Sequence, residues 1–263
     1  MVLNPLTIRS ERPACGGLSG LRTLITGGSG IGAATARAFA ARGAHVAIAG
    51  RNLEALRQVA ADTNAVCVPG DLREQGCPRQ TVYAASDALG GLDVIVSNAG
   101  VGWAGPFASM SESDIDALID VNLRAAAHLA CAAIPQLQPG VGRLVFVGSI
   151  AGLVGAPGEA WYSATKAGLG CLAEALREEL RPLGVAVTLV SPGVVDTAFF
   201  ERRKVPYERQ RPQLMTAQAA ANAIADAVER GQDDVVIPQW LSFPALLKAN
   251  FPGLYRLLAA RFA

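Results

Sequence analysis

Apolar runs of strand length alternate along the chain with longer stretches of helical character. The strand-like runs lie at 21–26, 44–49, 65–69, 92–97, 143–148, 185–190 and 234–238. Apolar residues at helical spacing lie between them, at 31–42, from about 52, at about 78–89, 112–134, 159–181 and 216–230. Strands that alternate with helices form a parallel sheet with right-handed crossovers. The pattern predicts one α/β domain, doubly wound, with about seven parallel strands flanked by helices.

The segments outside this alternation complete the predicted organisation. Residues 1–20 contain turn formers and no long apolar run, so we expect an N-terminal tail before a domain at 21–238. Residues 239–263 form a hydrophobic C-terminal extension, in which Leu254 and Leu258 follow helical spacing. Three interpretations of the extension stay open: a segment that closes a pocket, a contact between subunits, or a basic amphipathic helix that gives peripheral membrane contact.

Composition excludes several classes of function. The chain has 263 residues, is 51% hydrophobic and carries a net charge of +1, so it lacks the basic excess of a nucleic-acid-binding protein. It has neither 18 consecutive uncharged apolar residues nor the apolar core of a signal peptide. Its five cysteines include no CxxC pair, and its two histidines lack metal-ligand spacing. We expect a cytoplasmic protein with free thiols, no metal site and no nucleic-acid partner.

A glycine-rich turn follows the first predicted strand. Such a turn lets the backbone approach a pyrophosphate, and the N-terminus of the next helix offers free N–H groups and a positive dipole end. A tight turn without a ligand is the alternative, but its place after the first strand of the series favours a dinucleotide site. The predicted contacts are Gly27, Ser29, Gly30, Ile31 and Gly32.

The end of the second predicted strand indicates which dinucleotide is preferred. Arg51 stands where an acidic residue would hold a ribose 2′-hydroxyl. A carboxylate repels a 2′-phosphate, whereas an arginine can bind one through two hydrogen bonds. Arg51 and the following Asn52, whose side chain can cap a helix, therefore favour NADP(H) over NAD(H). The alternative is a solvated arginine at the start of a helix.

Further motifs occur in a fixed order along the chain. They are Asp71-Leu72, Asn98-Ala99-Gly100, Asn122, Ser149, Tyr162-Ser163-Ala164-Thr165-Lys166 and Pro192-Gly193 with Thr197. Together with the glycine turn, they strongly resemble the short-chain dehydrogenase/reductase family over about 20–240, including the family's separations of 27 and 13 residues between Asn122, Ser149 and Tyr162. One departure is that only two residues, not three, separate Gly27 from Gly30.

The resemblance implies a Rossmann fold, a role for each motif and assembly as a homodimer or homotetramer. It implies a catalytic tetrad of Asn122, Ser149, Tyr162 and Lys166, with the last two also on the cofactor, and a substrate lid at about 194–213. The remaining cofactor contacts are Asp71 and Leu72 beside the adenine, Asn98, Ala99 and Gly100 in the cleft, and Pro192, Gly193, Val195 and Thr197 near the nicotinamide.

Tyr162 and Lys166 share a helix face in a four-residue spacing. An ammonium about 4 Å away contributes about 4 kcal/mol at an effective dielectric constant of about 20, which could lower a tyrosine pKa from about 10 to about 7. Tyr162 is therefore the expected acid–base residue, and Ser149 is expected to hydrogen-bond the substrate oxygen. The predicted activity is the interconversion of a ketone or aldehyde and an alcohol by hydride transfer.

An apolar substrate pocket is implied by the same resemblance. Its expected lining is Val101, Trp103, Leu153, Val154, Pro157, Trp161 and Phe199. This lining favours a carbonyl reductase that acts on a hydrophobic substrate rather than on a sugar. Two other functions stay open. One is a dehydratase or epimerase of the same fold, although such enzymes usually have longer chains, and the other is a non-catalytic nucleotide-sensing protein, for which the short glycine turn is the one supporting feature.

Overall fold

The computed structural model describes residues 17–203, 205–207 and 212–259. Most of the predicted N-terminal tail, including Cys15, lies outside the described residues, as do parts of the predicted lid and the last four residues of the C-terminal extension.

Seven parallel strands form the central sheet, in the order β3-β2-β1-β4-β5-β6-β9. They are β1 Arg22–Thr26, β2 His45–Gly50, β3 Val66–Pro69, β4 Val94–Ser97, β5 Arg143–Val147, β6 Ala186–Pro192 and β9 Asp234–Ile237. Two short strands, β7 Val195–Asp196 and β8 Met215–Thr216, pair separately beside the cleft. The predicted doubly wound sheet is confirmed, and the order reverses between β1 and β4, where such folds bind ligands.

Helices connect the strands and cover both faces of the sheet. They are α1 Gly30–Ala41, α2 Leu53–Thr63, α3 Cys77–Leu89, α4 Glu112–Ile119, α5 Ala125–Ala133, α6 Ile150–Val154, α7 Ala160–Leu180, α8 Phe199–Arg202, α9 Ala217–Glu229, α10 Ser242–Asn250 and α11 Pro252–Ala259. Short 3₁₀ turns lie at Phe107–Ser109, Ile134–Gln136, Arg181–Leu183 and Gln239–Leu241. Asn52 caps α2 as predicted, because its side chain accepts a hydrogen bond from the N–H of Ala55 at 3.1 Å.

Adjacent residues on the central strands pack into two different cores. Leu24 and Leu144 face the side covered by α3, α5 and α7. Ile25 and Val145 face the side covered by α1 and α9. Burial on both faces explains why these strands read as continuous apolar runs rather than as alternating ones.

The predicted helix at 112–134 consists of α4, a π-helical turn at Asp120–Arg124 and α5. This stretch, counted as Glu112–Gln136, is the one among the described residues that is long and apolar enough to cross a membrane by length and composition. Length and composition alone do not make this stretch a membrane span, because Leu129 and its alanine neighbours on α5 are buried in the core. Packing inside the domain therefore accounts for its apolar composition.

The C-terminal extension folds back against the domain as α10 and α11. Lys248 on α10 donates a hydrogen bond from Nζ to the carbonyl oxygen of Leu153 on α6, at 3.0 Å. Several large apolar side chains of the extension remain exposed, with Phe243 69% and Phe251 63% accessible. The helical spacing of its leucines agrees with α11.

Candidate active site

A cleft of about 1460 Å³ opens at the carboxyl ends of β1, β4, β5 and β6. Pockets for one small ligand typically measure about 300–1,000 Å³, so this cleft has room for a dinucleotide and a substrate together. Its wall is formed by the glycine turn, the strand ends, α6, the start of α7, the lid segment and the C-terminal extension. The cleft lies at the reversal of strand order, where the fold predicts a ligand site.

The glycine turn forms one end of this cleft. Gly27, with φ of +98°, donates its N–H to the carbonyl of Ala49 at 2.7 Å, and a Cβ on Gly32 would collide with the carbonyl oxygen of Gly27. Gly27, Ser29, Gly30 and Ile31 line the cleft, whereas Gly32 packs behind them. Because N–H groups in the first turn of α1 have no intrahelical partner, this end of the helix fits a dinucleotide diphosphate.

The short turn is possible because of the extra glycine at position 28. A Cβ on Gly28 would lie 2.5 Å from Cδ2 of Leu56, which is fully buried on α2. The missing side chain lets the turn pass directly over this leucine. Close packing of Gly28 against Leu56 compensates for the missing residue, and the turn still joins β1 to α1.

The residues predicted around the adenosine lie beside the cleft rather than in its wall. The side chain of Arg51 is 56% exposed, with Nη1 3.9 Å from Oδ2 of Asp71. Hydrogen bonds from Arg73 hold the pKa of the Asp71 carboxyl below its usual value. Leu72 is buried in the core, so its side chain is not presented to a ligand. Asn52 is engaged as the cap of α2.

Asn98, Ala99 and Gly100 join the end of β4 to the end of β1 and line the cleft. Asn98 donates from Nδ2 to the carbonyl oxygen of Thr26 at 2.8 Å, and the N–H groups of Asn98 and Ala99 both donate to Thr26 Oγ1 at 3.1 Å. These contacts keep the two strand ends together beneath the glycine turn. The predicted residues Pro192, Gly193, Val195 and Thr197 line the opposite side.

Asn122 lies in the π-helical turn and is almost fully buried, at 1% exposure. Its Oδ1 accepts the N–H of Val101 at 2.8 Å, and its Nδ2 donates to the Val101 carbonyl at 3.0 Å and to Thr165 Oγ1 at 3.1 Å. Asn122 therefore ties the loop after β4 to α7 and is not in the cleft wall. A helix that was regular here would place this side chain differently, and π-helical turns often occur at functional sites.

Ser149, Tyr162 and Lys166 come together in the cleft wall. Ser149 caps α6 through a 3.1 Å hydrogen bond from the N–H of Ala151, and its hydroxyl acts on the Tyr162 phenol to lower the pKa of that group. Lys166 donates from Nζ to the carbonyl oxygen of Val147 at 2.9 Å, and this Nζ lies 6.0 Å from the centre of the Tyr162 ring. The three predicted polar side chains thus share one wall.

The expected effect of Lys166 on the Tyr162 pKa is wrong for this arrangement. Burial raises the pKa of Tyr162 to about 12, against the opposing effect of the hydrogen bond with Ser149. Burial also lowers the pKa of Lys166 to about 8. An ammonium about 4 Å from the phenol would lower the tyrosine pKa, but Lys166 donates to the Val147 carbonyl instead, so desolvation dominates.

The structure brings some of the residues predicted for the substrate pocket into the cleft wall and places others elsewhere. Phe199, Val154 and Pro157 line the cleft, and the Phe199 ring centre lies 5.8 Å from that of Tyr162. Four predicted residues are not among the described residues of the wall: Val101, Trp103, Leu153 and Trp161. Trp161 turns to α4, where Nε1 donates to the Ile115 carbonyl at 3.0 Å, because neighbouring residues on a helix point in different directions.

The C-terminal extension supplies a large share of the wall that the motifs did not identify. Its contributions are Trp240, Leu241, Phe243, Pro244, Leu247, Tyr255, Leu258 and Ala259. Apolar periodicity predicted that the extension would be helical, but no motif fixed where it would pack. Of its three interpretations, the pocket-closing one matches this placement.

The lid segment adds a buried ion pair that the motifs also did not identify. Nη1 of Arg203 lies 2.7 Å from Oε1 of Glu159, and the Arg203 side chain is only 6% exposed. The same guanidinium stacks over the Phe200 ring, with 4.6 Å from its central carbon to the ring centre. In the sequence, the one feature that accompanies this contact is the run of charged residues at 201–204, which follows Phe199 and Phe200.

Comparisons with known proteins agree with this geometry. Residues 22–207 match the family model described as short chain dehydrogenase. A ketoacyl reductase, HetN, from Nostoc sp. is 33% identical over 229 residues, covering 84% of this chain and 80% of its own length.

Two solved structures are similar over nearly their whole length. A short-chain dehydrogenase from Burkholderia cenocepacia, in complex with NADP, is 33% identical with a TM-score of 0.76, and covers 84% of this chain and 97% of its own. A 3-ketoacyl-(acyl-carrier-protein) reductase from Brucella melitensis, complexed with NADH, is 26% identical with a TM-score of 0.77 and has the same coverage. The chain belongs to the short-chain dehydrogenase/reductase family of NAD(P)-dependent oxidoreductases.

Proposed function

We propose that this chain is an NADP(H)-dependent carbonyl reductase that acts on a hydrophobic ketone or aldehyde. The observation that carries the proposal is the position of Tyr162 in the wall of the cleft. The same cleft contains the glycine turn and an apolar part, here called the chamber, which is lined by Val154, Phe199, Phe243 and Leu247. The bound dinucleotide supplies the hydride. The protein has to orient the carbonyl and deliver a proton to its oxygen.

Tyr162 is the proton donor in this proposal. Because burial raises its pKa to about 12, the phenol is protonated at neutral pH and is suited to donate from Oη as negative charge develops on the substrate oxygen. Ser149 Oγ donates a second hydrogen bond to the same oxygen. Lys166, with its pKa lowered to about 8, is suited to return a proton to Tyr162 and to contact the ribose.

Apolar side chains support the substrate class. Phe199, whose ring centre lies 5.8 Å from that of Tyr162, lines the cleft together with Val154, Phe243 and Leu247. Of the two described arginines in the cleft wall, the buried one, Arg203, is already paired with Glu159. A sugar would leave several hydroxyls without partners against such walls, at a cost for each buried group. Ketoacyl chains, which the names of two relatives specify, belong to the class that fits.

A turnover screen tests the substrate class. Oxidation of NADPH is followed with aliphatic ketones of increasing chain length, cyclic ketones, ketoacyl thioesters and keto sugars. The apolar chamber predicts that kcat/KM rises with chain length, by up to about fourfold for each buried methylene at about 0.8 kcal/mol. A keto sugar that outperforms every apolar ketone would contradict the proposed class.

The preference for NADP(H) depends on Arg51. Arg51→Gln is expected to weaken NADPH binding by at least about tenfold, because a charge-assisted hydrogen bond contributes about 1.5–3 kcal/mol. The affinity for NADH should stay unchanged, since NADH has no 2′-phosphate. Titration of both cofactors by fluorescence measures this difference, and an equal loss for the two cofactors would argue against the assignment of Arg51.

The remaining features complete the proposal. We assign 194–213 as the substrate lid and 239–263 as the segment that closes the chamber, with membrane contact as the weaker alternative for its exposed aromatic face. We also propose residence in the cytoplasm and assembly as a homodimer or homotetramer through the helices that carry Asn122 and Tyr162, an assembly that the family resemblance supports. We propose no nucleic-acid partner.

A further inference from the structure

Two adjacent arginines leave the lid in different directions. Arg203 is held by Glu159 at 2.7 Å and by the Phe200 ring, so the position of α8 is fixed relative to the start of α7. Arg202 instead points across the cleft, where Nη1 donates to Oγ of Ser29 at 3.3 Å. The buried pair on one arginine therefore directs the other toward the glycine turn.

The surroundings of Arg202 are electropositive. Ser29 is the N-cap residue of α1, and its side chain makes no capping hydrogen bond to the helix. The positive end of the α1 dipole thus lies beside a full positive charge. No ion pair in the described ranges involves Arg202, while Arg203 and Arg51 both have a carboxylate within 4.0 Å. The Arg202 guanidinium and the N-terminal end of α1 repel each other unless an anion lies between them.

A cation that contacts a diphosphate at the glycine turn has to come from another segment, such as α8. Residues 26–32 contain no basic side chain, so the turn itself offers only backbone N–H groups and the Ser29 hydroxyl. The base of the lid packs directly on this turn, because a Cβ on Gly30 would lie 3.0 Å from Cγ2 of Thr197. This contact keeps α8 close enough for Arg202 to reach the start of α1.

We propose that Arg202 binds the diphosphate of the dinucleotide, and that this contact holds α8 against the cofactor. The inference rests on the proposed function, because it requires NAD(P)H to occupy the cleft. It adds a ligand from outside the glycine turn. The diphosphate is present in both NADH and NADPH. Arg202 therefore contributes equally to the binding of the two cofactors, whereas Arg51 contributes to the binding of NADPH alone.

Arg202→Gln tests this assignment, with dissociation constants for NADPH and NADH measured by fluorescence at low and high salt. We expect about a tenfold weaker affinity for both cofactors, which is the loss of one charge-assisted hydrogen bond in a partly exposed position. The decline of affinity with salt should also become shallower, because fewer charges are paired. Arg202→Lys should recover part of the affinity. Since Arg202 is exposed, the unfolding temperature without cofactor should not change.

Arg51→Gln is the matched control, because it is expected to weaken NADPH binding alone. Unchanged affinity for both cofactors in Arg202→Gln would overturn the inference while the proposed function stands. A loss confined to NADPH would also overturn it, since Arg202 would then bind the 2′-phosphate. If the wild-type protein binds neither cofactor, the proposed function itself fails.

Discussion

Tyr162→Phe is expected to lower kcat for ketone reduction by about 10²- to 10⁴-fold, the range that general acid–base catalysis contributes. The variant keeps the ring that packs 5.8 Å from Phe199 and removes only the hydroxyl that would donate the proton. Affinity for NADPH should fall far less than kcat, because Tyr162 is one of many expected cofactor contacts and those of the glycine turn are untouched. Stopped-flow NADPH oxidation under single-turnover conditions separates the chemical step from product release.

Tyr255→Phe is the control for this experiment. Tyr255 also lines the cleft, but it belongs to α11 of the C-terminal extension and not to the segments that carry Ser149 and Lys166. Its hydroxyl should be dispensable for the chemical step. If Tyr162→Phe retained more than about a tenth of the wild-type rate, the assignment of the proton donor would be incorrect, because the expected minimum loss is about 10²-fold.

Gly32→Ala should abolish measurable NADPH binding and destabilise the fold. Its Cβ would collide with the Gly27 carbonyl oxygen and lie 2.5 Å from Nδ2 of Asn98, so the turn and the strand-end contact of Asn98 have to move. Overpacking of this kind costs about 1–3 kcal/mol or more. Urea denaturation measures the free energy of unfolding, and NADPH titration measures the binding loss.

Gly170→Ala is the matched substitution at a tolerant glycine. A Cβ there meets only Cδ2 of Leu189 at 3.5 Å, an ordinary contact, and the position lies inside α7. Alanine in a helix interior should raise stability by up to about 1 kcal/mol, with NADPH binding unchanged. Normal NADPH affinity in Gly32→Ala would show that the glycine turn does not hold the cofactor.

Local patterns were sufficient to predict the sheet, and the family resemblance indicated which motif side chains would meet. Strands buried on both faces read as apolar runs, and helices ended near the predicted residues, so the prediction of seven parallel strands was confirmed. In such a sheet the carboxyl ends of β1, β4 and β5 lie together, which is why motifs distant in sequence could be assigned to one cleft. The ordered motifs placed Ser149, Tyr162 and Lys166 in its wall.

Side-chain direction and long-range packing could not be predicted in this way. Trp161 and Leu153 lie in the predicted region, but their directions depend on how α6 and α7 meet neighbouring elements. The extension lines the cleft with apolar side chains, and no sequence motif marks where they pack. The Tyr162 pKa was predicted from a charge alone, whereas desolvation of the assembled cleft determines its direction.

Transfer of deuterium from the reduced cofactor tests the central claim most directly. NADPH that carries deuterium at both C4 positions of the dihydronicotinamide is incubated with the enzyme and the best ketone of the turnover screen, and the alcohol is analysed by mass spectrometry. The account predicts one deuterium on the carbinol carbon in the wild-type product and in Tyr255→Phe. Tyr162→Phe should form this product at least about 10²-fold more slowly. An alcohol without deuterium, or equal rates for Tyr162→Phe and wild type, would contradict the account.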